Sequence, residues 1–182
     1  MQFLQVVRSK NIVSDSEKLR LEHQAARLFM RRYEKQFGVP MRHIWHNTPR
    51  KPDVSCYLDG EQVDLEIAHL YGSEEEAKQV LGRSLSDETL AALRHLQKTP
   101  PNHRLLEALN QVLCKKSAKC YESKKVWLVI RNLNPHWQTA QFAEHTHLLL
   151  PIERHPFEQI WLLSDHDQDP HCNILRLDDL SV

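Results

Sequence analysis

The chain has 182 residues, 41% of them hydrophobic and 26% charged, and its 24 Lys plus Arg balance 24 Asp plus Glu. That composition is ordinary for one globular domain with a real core, and the zero net charge argues against bulk electrostatic attraction to nucleic acid. No apolar run approaches the roughly 20 residues of a membrane span, and the opening MQFLQVVRSKN is too short and lacks the small-residue cleavage site of a signal peptide.

Residues 1–13 read as an N-terminal arm or strand. SDSEKLRLEHQAARLFMRRYEKQFG (14–38) is the first strong helix, with a capping box at Ser14 and Glu17 and a stop at Gly38. Leu21, Ala25, Leu28 or Phe29, Tyr33 and Phe37 recur at helical spacing as its core stripe, and Arg27, Arg31 and Lys35 make the opposite face basic. MRHIWHN (41–47) reads as a strand. DVSCYL and QVDLEIAHLY, joined by Asp59 and Gly60, read as a hairpin with a tight primed turn. Strand alternation then puts Val63, Leu65 and Ile67 on one face and Asp64, Glu66 and Ala68 on the other.

Residues 73–97 read as two short helices separated by Gly82, TPPN as a stop, and residues 103–121 as a third good helix with Leu105, Leu109 and Val112 on one stripe. KKVWLVIRN (124–132) is a short apolar run with polar ends, as expected of a strand buried on both faces. HWQTAQFAEH reads as a short helix, HTHLLLPI (145–152) and FEQIWLLSD as strands, SDHDQDPHC (164–172) as a polar loop, and NILRLDD as an edge strand. The order of elements predicts one mixed α/β domain over 1–182, with helices flanking a central sheet. Trp45, Trp127 and Trp161 are expected in the core, and Trp137 is expected to be the exposed one.

Charge is segmented along the chain. Residues 1–57 and 98–135 each carry a net +6, and residues 58–97 and 136–182 each carry a net −6. Basic segments gathered on one face would suit nucleic acid, whereas the plain alternative is solvated helix faces. Cys56, Cys114, Cys120 and Cys172 form no CxxC pair, which fits free thiols in a reducing, cytoplasmic compartment. The histidine pairs HIWH and HTH lack the cysteines or HExxH pattern of a zinc site.

The chemistry-bearing stretch is KPDVSCYLDGEQVDLEIAHLY (51–71). Metal-assisted phosphodiester cleavage needs hard oxygen ligands with open positions for water and phosphate. Asp53 and Glu66 can converge on such a point across the hairpin, with the carbonyl of Ile67 as a third ligand. The plain alternatives are a turn aspartate at 53 and a solvent-facing strand carboxylate at 66. KPD, the hairpin and LEIA, together with EHQAARLF (22–29) on the preceding helix, resemble the PD-(D/E)xK nuclease superfamily, which includes restriction endonucleases; the resemblance covers roughly residues 14–71.

The resemblance implies a restriction-endonuclease-like mixed β-sheet flanked by helices, magnesium or manganese as cofactor, and hydrolysis of DNA or RNA. It carries the supporting glutamate of the family's helix onto Glu22 and the metal ligands onto Asp53, Glu66 and Ile67. The family's lysine falls at Ala68, which can neither orient water nor offset charge. Lys78, Lys116 or Lys119, and His69 are the substitutes, with Lys78 preferred and His69 last because alternation turns it away from Glu66. Arg27, Arg31, Lys115, Lys116 and Lys119 are the expected phosphate-backbone contacts. Two other readings stand beside this one. The first is an inactive nuclease-fold module that binds nucleic acid or a protein partner, a homodimer included. The second is a small interaction or immunity-type protein whose acidic 58–97 segment is the contact surface.

Overall fold

The computed structural model describes residues 2–48, 50–72, 77, 85–99, 101–145, 154–165 and 174–178. Its elements in chain order are α1 (Gln2–Phe37), β1 (Met41–His46), β2 (Val54–Leu58), β3 (Glu61–Leu70), α2 (Asp87–Lys98), α3 (Pro101–Ser117), β4 (Val126–Asn132), α4 (Thr139–His145), β5 (Gln159–Ser164) and β6 (Leu175–Arg176). The six strands form one sheet in the order β1-β2-β3-β4-β5-β6. Pairing is antiparallel from β1 to β3, parallel across β3, β4 and β5, and antiparallel again at β6. Among the described residues no helix is long and apolar enough to cross a membrane.

Two apolar layers sandwich the sheet. On one side α1 lays Ala25, Ala26, Phe29 and Met30 against Val63, Leu65, Ile67, Trp127, Val129, Trp161 and Leu163. Phe29 meets Trp127 edge-on at 6.3 Å between ring centroids. On the other side Leu105, Leu109 and Leu113 of α3, with Phe142 of α4, pack on Ala68, Leu70, Leu128, Ile130 and Leu162. β3 and β4 therefore lie between two layers, which is why β4 reads as an unbroken apolar run.

The predicted hairpin is present. Asp59 and Gly60 take φ of 49° and 87°, the left-handed pair that a primed two-residue turn requires. Gly38, at φ 69°, closes α1 by donating its N–H to the Glu34 carbonyl at 2.8 Å. Sequence and structure part at several points. Residues 2–13, expected as an arm or strand, are the opening turns of α1, so Ser14 and Glu17 lie inside the helix instead of at its start. No proline or glycine interrupts 2–13, and helix growth past a local capping signal is favoured once a helix is nucleated. The α1 stripe buries Leu21, Ala25 and Phe29 but leaves Phe37 45% exposed. α2 ends at Lys98, as the TPPN stop predicts, but α3 runs Pro101–Ser117 where the sequence predicts 103–121; Pro101 opens it, as suits a residue whose missing N–H has no partner at a helix start anyway.

Trp137 is buried, edge-on to Phe142 at 6.5 Å, because its backbone carbonyl takes a 2.6 Å hydrogen bond from the buried Asn132 amide. Within the acidic 58–97 segment Asp59 and Glu61 are exposed, whereas Asp64 and Glu66 are buried. Lys78, most of the first of the two short helices, most of the 145–152 strand and most of the 164–172 loop lie outside the described residues.

Candidate functional site

Strand register creates the site. β2 starts at Val54 opposite Leu65, so the second half of β3 runs on past it and leaves a notch. Asp53, the residue before β2, fills the notch: its Oδ2 accepts the Ile67 N–H at 2.8 Å. The aspartate is thus more than a turn former. It is held by backbone beside the strand that carries Glu66.

Glu66 is not solvent-facing. Its side chain is 2% exposed, and Oε1 accepts hydrogen bonds from Lys116 Nζ at 2.7 Å and Lys119 Nζ at 2.8 Å. Lys116 Nζ also donates to the Ile67 carbonyl at 2.7 Å. Burial works to raise the Glu66 pKa, but Lys116 and Lys119 outweigh it and hold the carboxyl below its ordinary value. Lys116 lies in the last turn of α3, and Lys119 follows two residues past its end. Leu105, Leu109 and Leu113 fix which face of that helix meets the sheet, and Lys116 follows Leu113 by three residues on the same face. Their positive charge at a helix C-terminus also complements its dipole.

Glu22 reaches the site from α1 and is buried, with the Lys18 ammonium 3.4 Å away. Burial, with Asp53 alongside, pushes Glu22 up to about 7 despite Lys18. Asp53 is raised as well, by burial first and by Glu66 second. The Asp53 charge thus acts on Glu22, and the Glu66 charge on Asp53. The Tyr121 hydroxyl lies beside Glu66; burial first and the Glu66 charge second push the phenol up.

Lys18, Glu22, Asp53, Ile67, Lys116 and Lys119 line one cleft of about 450 Å³ with Leu21, Ala68, His69, Tyr71, Val112 and Lys115, and Glu66 lies buried behind the two lysines that bind it. His69 lies in that cleft although it is on the opposite strand face from Glu66. Burial first, then the Arg131 charge, lower it to about 4, so its ring is neutral at pH 7, and Nε2 is buried without a hydrogen-bond partner among the described residues. Arg131 is bound to Asp165 through two bonds of 2.8 and 2.5 Å.

The structure brings together Glu22, Asp53, Glu66, the Ile67 carbonyl, Lys115, Lys116 and Lys119. It does not bring Arg27 and Arg31 to them: those two exposed arginines line a separate groove with Met30, Glu34, Met41, Arg42 and Ile44. Sequence reasoning overlooked Lys18 and Tyr121. The i,i+4 spacing of Lys18 to Glu22 was a usable signal; Tyr121, in a loop, offered none.

A divalent ion such as magnesium or manganese takes hard oxygens, usually one or two carboxylates plus water. Among the described residues no three His, Cys, Asp or Glu side chains form a metal-holding group by themselves. The donor set here is different in kind: two carboxylates and a carbonyl. Two of its oxygens, Glu66 Oε1 and Ile67 O, already converge on one cationic nitrogen at 2.7 Å each. In donor type, though not in a shown convergence of all three, these are the hard oxygens such a cation takes. No family model, curated protein or solved structure matches the chain.

Proposed function

We propose that the cleft is the active site of a metal-dependent nuclease of the PD-(D/E)xK type, acting on phosphodiester bonds of DNA or RNA. The observation that carries this reading is the delivery of Lys116 from α3 to Glu66 and the Ile67 carbonyl, beside Ala68. The lysine missing from the strand is supplied by a helix, so Lys116 takes the part given to Lys78 on sequence grounds.

Asp53, Glu66 and the Ile67 carbonyl would hold magnesium or manganese, which when bound supplies Lewis-acid stabilisation of the transferring phosphate and a more acidic attacking water. Asp53 is fixed in place by the Ile67 N–H. Glu22, pushed up to about 7, holds a proton in a large share of molecules near neutral pH, which limits repulsion with Asp53. Lys116 orients water and offsets charge on the phosphate, and Lys119, with a side chain 46% exposed, reaches outward to the backbone of the substrate. Lys18 and Lys115 extend the positive rim of the cleft, and Arg27 and Arg31 belong to a second contact.

A second reading, a binding module without catalysis, draws on one observation. Lys116 and Lys119 already neutralise Glu66, as a structural ion pair would. Incubation of supercoiled DNA and of RNA with the protein and manganese, beside Glu66→Ala and Lys116→Ala, separates the two. Nuclease action predicts cleavage by the wild type and loss in both variants. Salt-sensitive binding without cleavage selects the module, and cleavage that survives Glu66→Ala refutes the assigned site.

A further inference from the structure

Two lysines, Lys116 and Lys119, share one oxygen of the buried Glu66. Two ammonium groups within 2.8 Å of one carboxylate oxygen repel each other, and together they present the charge of one divalent cation.

They are not equivalent. Lys116 is 16% exposed and binds both Glu66 Oε1 and the Ile67 carbonyl, whereas Lys119 is 46% exposed and binds Glu66 alone. Lys116 thus occupies two of the three oxygens assigned to the cation, and Lys119 can swing to solvent without leaving a carbonyl behind.

We infer that Lys116 is a built-in competitor for the cation position: its ammonium satisfies Glu66 and the Ile67 carbonyl until a divalent ion displaces it. The identity of the ion as magnesium or manganese rests on the nuclease reading; the competition is argued from the two oxygens that Lys116 holds. Removing the ammonium leaves Glu66 buried with one positive partner instead of two, and takes from the Ile67 carbonyl the bond that Lys116 gives it. A cation then binds without first expelling a charge of its own sign. The lysine freed by binding stays within side-chain reach, where it meets the phosphate. Lys116 therefore weakens cation affinity while supporting catalysis, so the two properties move in opposite directions when it is replaced.

The test is manganese binding to the full chain, by calorimetry and by the electron-spin signal of free Mn²⁺, at pH 8 and without substrate. Lys116→Met keeps the length and apolar stem of the side chain and removes its charge; Lys116→Gln is a second neutral variant in case the first fails to fold. Both should bind Mn²⁺ at least about tenfold more tightly than wild type. Lys119→Ala should change affinity by less than about threefold, and Glu66→Gln should abolish binding. Wild-type or weaker affinity in the folded neutral variants overturns the inference, as does a Lys119→Ala gain equal to theirs. Cleavage by the wild type with no tightening in Lys116→Met defeats this inference alone. Tightening in Lys116→Met with no cleavage by the wild type defeats the nuclease reading alone.

Discussion

Replacing Glu22 by Gln isolates the buried carboxylate pair. Glu22 is 5% exposed, and burial with Asp53 beside it lifts its pKa from 4.5 to about 7. In that window the native protein keeps a proton that the unfolded chain releases, so this group's contribution to stability is present below the unfolded value and lost as pH rises through the folded one. A shift of about 2.5 pKa units is worth roughly 3 kcal/mol at its limit, and about 2.5 kcal/mol between pH 5 and pH 8. Gln matches the protonated carboxyl in shape and can donate to Asp53 as that form does. The variant should therefore gain on the wild type as pH rises, roughly three-quarters of the gain falling between pH 5 and 8. With a urea m-value of about 2 kcal/mol/M, the difference in unfolding midpoints should change by about 1 M across that range. Subtracting the variant removes other titrations, such as that of His69, whose lowered pKa gives the opposite slope. A midpoint difference that stays constant from pH 5 to pH 8 refutes the assignment of a shared proton to Glu22 and Asp53.

Ala68 lies on the Glu66 strand face and lines the same cleft as Lys116. Ala68→Lys should therefore recover part of the cleavage lost in Lys116→Ala, at least about tenfold above that variant; plasmid nicking rates of the single and double variants decide it. Phe29→Ala should cost about 3–5 kcal/mol in urea unfolding, because the ring is fully buried between α1 and the paired tryptophans of β4 and β5. Cys56 is buried and pushed up to about 12 by burial and by Asp64, so alkylation mapped by mass spectrometry should reach Cys114 and Cys120 in the native protein and Cys56 only after unfolding.

The parts of the molecule legible in the sequence are those set by local periodicity. The Asp59–Gly60 turn, the alternation that separates Ile67 from Glu66, and the doubly buried β4 follow from spacing and turn chemistry, and all three are present. What sequence could not show was long-range placement. Lys116 and Glu66 are 50 residues apart, and only the packing of α3 brings them together. The helical stripe ending at Leu113 and Lys116 held the clue, since a stripe that meets the sheet carries its next member to the sheet as well. Proximity in sequence favoured Lys78 instead. Burial was equally hidden: Trp137 follows a proline and a histidine in a loop, yet Asn132 draws that loop inward. The split of Arg27 and Arg31 from the lysines likewise depends on how α1 crosses β1, which composition does not encode.

The central claim is that Asp53 serves a hydrolytic centre. It is tested most directly by the initial rate of phosphodiester cleavage at saturating manganese in Asp53→Asn, a substitution that keeps size and removes charge. The account predicts a fall of at least about a hundredfold from wild type with the fold retained by circular dichroism. Cleavage within about twofold of wild type would contradict it.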